Sequence, residues 1–203
     1  MAENMRFILA SASPRRLDIL KRLKLKPSDV IPADIDESPL SNELPKQHAL
    51  RLAEQKALKV YRDLENTENT VILAADTVVS CGRRILPKTE TVEEAKECLE
   101  LLSGRRHRVY GGIALHVNGK LLSRVVDTHV TMKRLHSTEI QDYLDSEEWQ
   151  SVAGGYKIQG LAESFIKQIN GTHSNIVGLC LYNTRQMLLG NCPDIFKTNA
   201  SDD

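Results

Sequence analysis

Phe7-Ile8-Leu9-Ala10-Ser11-Ala12-Ser13-Pro14-Arg15-Arg16 is an apolar run that passes directly into the start of a helix. Its first half is typical of a buried β-strand, which we predict over Arg6–Ala10. Ser13 is a favoured N-cap residue and Pro14 is favoured at the first helical position, so a helix is predicted over Pro14–Lys24. A strand that leads through a short turn into a helix is typical of α/β proteins.

This turn also predicts a phosphate-binding site. The first N–H groups of a helix have no partner within the helix, and the helix dipole adds partial positive charge there. Ser11, Arg15 and Arg16 lie beside these groups, and two arginines in the first turn oppose the dipole unless an anion compensates. A simpler alternative is that Ser13 only caps the helix and both arginines face solvent. The pattern favours a bound phosphate.

The elements that follow alternate between helix and strand. Thr91 and Glu94 form a capping-box pattern, Gly104 follows the last apolar position of the helix that they begin, and Asn118-Gly119 predicts a tight hairpin. The predicted elements are helices Pro45–Tyr61, Val92–Leu102 and Thr138–Leu144, and strands Thr70–Ser80, His107–Val117 and Lys120–Lys133. This alternation predicts a mixed α/β architecture.

The C-terminal part of the chain has a less regular pattern. Ile158–Ile169 fits either a strand or a helix, and Asn175–Leu189 is predicted to be at least partly helical before Gly190. We predict a single domain over residues 1–190, followed by a loose polar tail over residues 191–203.

The composition is that of an ordinary globular chain, with 203 residues, 41% hydrophobic and 27% charged. The 27 basic and 27 acidic residues cancel, so no general field favours nucleic acid or an anionic membrane. No run approaches the ~20 apolar residues of a membrane span, and no signal-like segment is found. The 4 cysteines lack the spacing of zinc sites or disulfide scaffolds. These features predict a cytoplasmic protein with reduced cysteines that binds neither nucleic acid nor membranes.

Two charged residues interrupt apolar patterns. Lys56 falls within the apolar stripe of the Pro45–Tyr61 helix, and Asp76 interrupts the run Val71–Val79, which is typical of a strand buried on both faces. A buried charge needs a partner. Lys56 either reaches solvent from the edge of the stripe or contacts a phosphate. Asp76 either caps a turn or holds a cation, and beside a phosphate site the cation is the stronger interpretation.

A second acid could complete a cation site with Asp76. The segment Asp34-Ile35-Asp36-Glu37 offers three candidates, and the pattern alone does not choose among them. Magnesium commonly uses only one or two protein carboxylates and takes its other oxygens from water and phosphate. Lys88 follows a short β-like run and is either a surface lysine or another phosphate contact.

Several blocks of sequence, in order, resemble the Maf family of nucleotide pyrophosphatases, also called septum formation proteins. The blocks are Leu9–Arg16, Ala75–Val79, Leu102–His107, Ala153–Gly160, Ile169–Gly171 and Ser174–Leu179. The resemblance implies an α/β fold related to the inosine triphosphate pyrophosphatases. In that fold two lobes surround an elongated mixed β-sheet flanked by helices, the nucleotide lies in the cleft between the lobes, and the protein is often a homodimer.

The resemblance also implies a site. Carried over by motif, the catalytic residues are Asp76, Glu37 and Lys56, with Asp76 and Glu37 as ligands of a divalent metal cation, Mg²⁺ or Mn²⁺. The expected substrate-binding residues are Ser11, Ser13, Arg15, Arg16, Lys88, Thr77 and Gln159. The resemblance therefore selects Glu37 from the acidic segment and assigns Lys88 to phosphate.

Within the family, Asp76-Thr77 and Ile158-Gln159-Gly160 resemble the branch that acts on dTTP, UTP and modified pyrimidine triphosphates. The amide of Gln159 offers a donor and an acceptor that suit a pyrimidine edge. Lys157 departs from this branch, in which small residues are frequent at that position, and it is similar to the branch that acts on 7-methyl-GTP. A 7-methyl-GTP pyrophosphatase is therefore the alternative.

The predicted reaction cuts a nucleoside triphosphate between the α- and β-phosphates and releases a nucleoside monophosphate and pyrophosphate. A water activated by the cation would attack the α-phosphorus in line, with Asp76 as the base that orients it. The cationic residues and the helix N-terminus would neutralise the charge that grows on the phosphate oxygens. An alternative of another class is a non-catalytic nucleotide-binding regulator of cell division.

Overall fold

The computed structural model describes residues 5–198, which form a mixed β-sheet flanked by helices. The strands are β1 Arg6–Ala10, β2 Asp29–Val30, β3 Thr70–Cys81, β4 Arg84–Leu86, β5 Lys88–Thr89, β6 Arg106–Val117, β7 Lys120–Met132, β8 Val152–Ala153 and β9 Ile166–Asn170. The helices are α1 Pro14–Lys21, α2 Pro45–Asp63, α3 Val92–Leu102, α4 Ser137–Asp145, α5 His173–Val177, α6 Leu181–Asn191 and α7 Ile195–Thr198, with a 3-10 helix over Leu161–Phe165. The predicted mixed α/β class is confirmed.

The main sheet has 7 strands in the order β2-β1-β3-β6-β7-β9, with β4 paired to the far end of β3. Strand β1 is parallel to β2 and β3, and the other pairs are antiparallel. Strands β5 and β8 form a small separate sheet. Because Ala10 lies opposite Ala74, the chain enters α1 close to the position of Asp76 on the neighbouring strand.

The long strands pass through two large hydrophobic clusters. Val71 and Leu73 of β3 pack in one cluster with α1 and α6, whereas Val79 packs in the other with α3 and α4. Helix α2 covers the opposite face of the sheet through Ala53 and Ala57. The parts of the molecule built around these two large clusters are its two lobes. No helix within residues 5–198 has both the length and the apolar character needed to cross a bilayer.

Local chemistry sets several element ends as the sequence predicts. Thr91 Oγ1 accepts the N–H of Glu94, and the Glu94 carboxylate accepts the N–H of Thr91, which completes the capping box of α3. Asn118 and Gly119 have φ of 52° and 72°, the left-handed pair that a tight hairpin turn requires. Gly104 follows α3 with φ of 70°. The predicted bounds of α3 are therefore reproduced.

Helix α1 ends at Lys21, before the predicted Lys24. Lys24 has φ of 56°, in the left-handed region, and the N–H of Leu25 bonds back to the carbonyl of Leu20. This pattern closes the helix with a left-handed residue, and Lys24 occupies the place where Gly or Asn is more common. Helix α2 and strand β3 extend slightly beyond their predicted ends.

The C-terminal part corrects two expectations. The ambiguous segment Ile158–Ile169 contains both a 3-10 helix and the start of β9, and the helical region is divided because Gly178 has φ of 143°. Residues 191–198, which the sequence assigned to the loose tail, instead continue the folded structure. Helix α6 continues to Asn191, and Cys192 and Ile195 are only 3% and 1% exposed in the core, since their apolar side chains complete it. Residues 199–203 of the predicted tail lie outside the described residues.

Candidate active site

The predicted site residues meet in one cleft of about 480 Å³ between the two lobes. Ala10 on one side and Val79 and Tyr156 on the other contribute to its walls. The predicted residues that line it are Ser11, Ser13, Arg15, Arg16, Glu37, Lys56, Asp76, Thr77, Lys88 and Gln159. Their individual roles stay predictions. The cleft falls in the size range of small-molecule sites.

The turn between β1 and α1 forms one end of the cleft. Ser13 is at the N-cap position, but its side chain makes no capping hydrogen bond. Its N–H instead donates to Ser11 Oγ at 3.2 Å. Pro14 has no N–H, and the N–H of Arg16 donates to the carbonyl of Ser13 at 3.2 Å. Among the described residues, the N–H of Arg15 is therefore the main-chain donor of the first turn that remains available to an anion at the cleft.

Arg16 is buried and holds this turn in place. Its Nε donates to the carbonyl of Gly178 at 3.0 Å, and another nitrogen donates to Ser11 Oγ at 2.8 Å. Thr77 Oγ1 lies 3.4 Å from its remaining nitrogen. Burial lowers the pKa of Arg16, and the nearby Asp76 carboxylate opposes this shift. Arg16 thus joins the turn between β1 and α1 to the centre of β3.

Arg15 differs from its neighbour. It is half-buried at the cleft, and within residues 5–198 its guanidinium forms no hydrogen bond or ion pair. Burial lowers the pKa of Arg15, although an arginine side chain stays charged at neutral pH. Its donors are therefore available for a ligand.

Lys56 is the centre of a chain of ion pairs. Its Nζ lies 2.6 Å from Oδ1 of Asp76 and 2.6 Å from Oε1 of Glu37. Lys88 Nζ lies 2.6 Å from the other oxygen of Glu37. The side chains of Lys56 and Asp76 are only 8% and 6% exposed, as their positions in apolar patterns predict. Buried charge is tolerated here because each group has an opposite partner.

Glu37 connects the two lysines. Burial by itself would raise the pKa of Glu37, but hydrogen bonds from Lys56 and Lys88 outweigh it and hold that pKa at about 2. Glu37 is therefore ionised at neutral pH, and each of its two oxygens pairs with a lysine ammonium group. Asp36, by contrast, uses Oδ1 to accept the N–H of Ser38 within its own exposed segment.

The opposite end of the cleft is formed by Tyr156, Lys157, Ile158 and Gln159. The N–H of Lys157 donates to the hydroxyl of Tyr143 at 2.9 Å, and the Tyr156 hydroxyl lies 2.7 Å from Nε2 of His107. Two buried tyrosines thus fix the backbone that presents Gln159 to the cleft.

The sequence did not single out Tyr156, Glu90 or Ser151 as cleft residues. Glu90 and Ser151 line the cleft beside β5 and β8, and the Ser151 hydroxyl lies 3.2 Å from Glu90 oxygens. The short strands that bring them together are two residues long and leave no recognisable pattern. Tyr156 lies inside Ala153–Gly160, a block that resembles the Maf family, and this resemblance was the sequence feature that could have identified it as a cleft residue.

The family model described as Maf-like protein matches residues 6–190. A Paramagnetospirillum magneticum protein named dTTP/UTP pyrophosphatase is 55% identical over 184 residues, covering 90% of this chain and 95% of that protein. A Mesorhizobium japonicum protein of the same name is 50% identical over 189 residues, covering 91% of each. The structure of a HAM1 protein from Coxiella burnetii aligns at 18% identity with a TM-score of 0.49, over 91% of this chain and 98% of that one. By its family match and its similarity to these curated relatives, the chain belongs to the family of Maf-like proteins.

Proposed function

We propose that this chain is a metal-dependent nucleoside triphosphate pyrophosphatase that acts on dTTP, UTP and modified pyrimidine triphosphates. The observation that carries the proposal is the meeting of cationic groups and two carboxylates in one nucleotide-sized cleft. Relatives that are 55% and 50% identical over most of their length bear the name dTTP/UTP pyrophosphatase, which supports this substrate class. The products are a nucleoside monophosphate and pyrophosphate.

The triphosphate is bound at the start of α1. The guanidinium of Arg15 donates to phosphate oxygens from the cleft wall, and the main-chain N–H of Arg15 in the first turn adds a further donor. Lys88, which is 54% exposed at the cleft edge, binds the β- or γ-phosphate of the leaving pyrophosphate. Fixed donors of this kind stabilise the charge that develops on the phosphate oxygens during transfer.

Asp76 and Glu37 would hold a divalent cation, Mg²⁺ or Mn²⁺. Their carboxylates fit this role because Asp76 Oδ1 and Glu37 Oε1 both lie 2.6 Å from Lys56 Nζ, so both oxygens already face one positive charge. Carboxylate oxygens are the ligands that magnesium prefers, with water and phosphate completing its shell. When bound, the cation would supply charge stabilisation and increase the acidity of the attacking water.

Asp76 is the residue that orients the attacking water. It is fixed in the middle of β3, opposite Gly112 of β6, and Lys56 occupies its Oδ1. Oδ2 is then the oxygen that accepts the proton of the water as it attacks the α-phosphorus. Lys56 lies beside the reacting groups and can move one of its hydrogen bonds from a carboxylate to a phosphate oxygen.

Gln159 reads the base, because its amide can pair a donor and an acceptor with the edge of uracil or thymine. The hydrogen bonds of Tyr143 and Tyr156 fix the main chain next to Gln159. Lys157, which also lines the cleft, is the observation that favours 7-methyl-GTP as a second candidate substrate. A comparison of kcat/KM for pyrimidine triphosphates and for 7-methyl-GTP decides between the two candidate substrates.

The oligomeric state and the cellular location are inferred from the family resemblance and the composition. We propose that the chain acts as a cytoplasmic homodimer without nucleic acid or membrane. The zero net charge supports the lack of both polyanionic partners. Light scattering at working concentration is expected to give twice the mass of 22.8 kDa, and the mass of a single chain would contradict the dimer.

The activity is tested by incubating the purified protein with Mg²⁺ and each of dTTP, UTP, CTP, GTP and 7-methyl-GTP. We expect equal amounts of monophosphate and pyrophosphate, with the highest kcat/KM for dTTP and UTP. Asp76→Asn should lower kcat by about 10³-fold, within the range for removal of a positioned acid–base group. Asp142→Asn, an exposed change of the same type on α4, is the matched control.

Release of orthophosphate would contradict the proposal. Preference for 7-methyl-GTP would assign the chain to the other branch and remove Gln159 from its proposed role. Tight binding of nucleotide without turnover over hours would support the non-catalytic regulator.

A further inference from the structure

Glu37 lies on a segment that has no regular structure of its own. Residues 31–44 join β2 to α2 without a helix or strand. The carboxylate of Glu37 is 38% exposed, yet it must meet Lys56 at 2.6 Å. Something outside the segment must therefore fix its path, because an irregular segment has many backbone conformations of similar energy.

An ion pair of two residues that do not line the cleft joins the end of this segment, at Glu43, to α2, at Arg51. Arg51 of α2 donates from Nε to Oε1 of Glu43 at 2.6 Å, and from a terminal nitrogen to Oε2 at 2.8 Å. The Glu43 side chain is only 7% exposed and that of Arg51 19%. Nδ1 of His48 lies 2.9 Å from Glu43 Oε2. A two-point contact of this kind defines orientation as well as distance.

The Glu43–Arg51 pair holds the segment at two points. The same terminal nitrogen of Arg51 donates to the carbonyl of Ser38 at 3.0 Å, directly after Glu37. Oε2 of Glu43 accepts the N–H of Leu40 at 3.0 Å. Hydrogen bonds from Arg51 lower the pKa of Glu43 to about 2, so the carboxylate keeps its charge over the physiological range.

Arg51 also connects the segment to the helix that carries Lys56. The two residues lie on α2, so a contact from Arg51 to Ser38 sets the position of Glu37 relative to Lys56. Lys88 approaches Glu37 from another strand and depends on the same placement. The pair is thus suited to act at a distance from the reacting atoms.

We propose that Glu43 and Arg51 are positioning residues that hold Glu37 in contact with Lys56 and Lys88. Neither residue would touch the substrate. The inference rests on the proposed pyrophosphatase activity for its kinetic part, and its structural part can be measured without any nucleotide.

The kinetic test is a double-mutant cycle between Arg51→Met and Glu37→Gln. Outer residues that orient metal or phosphate ligands typically contribute ~10–100-fold to activity, so Arg51→Met should lower kcat/KM for dTTP by that factor. In the Glu37→Gln background the same change should cost less than about 2-fold, because the residue through which it acts has already been altered. Arg51→Lys keeps the charge but loses the two-point contact, so it should restore only part of the activity.

The structural test is hydrogen exchange on the nucleotide-free protein. Arg51→Met and the milder Glu43→Gln should both accelerate exchange of the Leu40 N–H, while exchange in β3 and β6 stays unchanged. Arg62→Met, an exposed arginine change on the same helix, is the control and should leave both exchange and kcat/KM as in the wild type.

Equal kinetic losses in the two backgrounds, or unchanged exchange at Leu40, would overturn the inference. If the wild-type protein released no pyrophosphate, the proposed function would fail, but the exchange measurement would still decide whether the Glu43–Arg51 pair fixes the segment. If the wild type releases pyrophosphate and the Arg51 variants are equally active, the proposed function stands and only the positioning role of Glu43 and Arg51 fails.

Discussion

Lys56 shows how one buried side chain can connect three parts of the molecule. It projects from α2 and pairs with Asp76 of β3 and with Glu37 of the irregular segment. Removing one partner from a buried ion pair usually destabilises a protein more than removing both, since an unpaired charge remains in the interior. The same side chain therefore contributes to folding and to the proposed chemistry.

Lys56→Met should lower the free energy of unfolding by about 3 kcal/mol, because it leaves the Asp76 carboxylate buried without its ammonium partner. Adding Asp76→Asn should recover part of that loss. Urea unfolding without metal measures both effects, and Lys59→Met, which removes an exposed ion pair with Asp63 on the same helix, is the control. A double variant less stable than Lys56→Met would contradict the pairing.

His107 is a second buried polar residue, close to the proposed base-reading end. Its Nε2 bonds to Tyr156, and its Nδ1 has no partner among the described residues. Burial lowers the pKa of His107 from 6.5 to about 4. The ring is thus neutral in the folded protein at pH values where the unfolded chain is protonated.

This difference predicts a pH dependence of stability. Below pH ~6.5 the unfolded state binds a proton that the folded state rejects until about pH 4, so His107 destabilises the fold as pH falls through that window. The wild type should lose about 2 kcal/mol more than His107→Gln between pH 8 and pH 5. Urea unfolding at both values measures this, and equal losses would show that His107 does not titrate in this way.

At the scale of elements, the backbone of α2 packs closely against that of β6. A Cβ atom on Gly112 would lie 2.0 Å from the backbone carbonyl oxygen of Ala49, so only glycine allows the helix to rest on the strand. Gly112 is also the neighbour of Asp76 across the sheet. This contact sets the depth at which Lys56 enters the cleft.

Gly112→Ala should therefore push α2 outward, with a loss of about 1–3 kcal/mol of stability from overpacking and reduced pyrophosphate release. Gly190→Ala in α6 is the control, because a Cβ there meets no atom within 4 Å and alanine favours a helix. Thermal unfolding and kcat/KM measure both variants. Equal stability of Gly112→Ala and the wild type would contradict the close packing.

The elements that the sequence predicted well have local causes. The capping box of Thr91 and Glu94 and the turn Asn118-Gly119 are encoded within a few residues. Strands β5 and β8 pair two short segments far apart in the chain, and no local pattern could reveal them. The end of α1 was misjudged because Lys24 adopts a left-handed conformation that lysine rarely favours.

The residues of the candidate site also differ in how well a local sequence pattern identifies them. Lys56 and Asp76 were recognisable because they interrupt apolar patterns, and the structure buries both. Glu37 could be separated from its neighbouring acids only through the family resemblance, since its placement depends on contacts with α2. The Glu43–Arg51 pair gave no sequence signal, because charged residues in a loop or on a helix usually face solvent.

At the scale of the whole molecule, the cleft lies between two hydrophobic clusters and draws on both lobes. The turn at α1 supplies donors for phosphate, the centre of β3 supplies Asp76, and the segment ending at Gln159 faces them. In the proposed complex, the α-phosphorus lies next to the carboxylates of Asp76 and Glu37, and the terminal phosphates extend towards Lys88. In the proposed reaction, water therefore attacks the α-phosphorus and neither the β- nor the γ-phosphorus.

Hydrolysis of dTTP by the protein in H₂¹⁸O tests this requirement most directly. The phosphorus that is attacked receives the labelled oxygen, and ³¹P NMR resolves the isotope shift in each product. We predict one ¹⁸O atom in dTMP and none in pyrophosphate. Label in pyrophosphate with unlabelled dTMP would show attack at the β-phosphorus and would contradict the account.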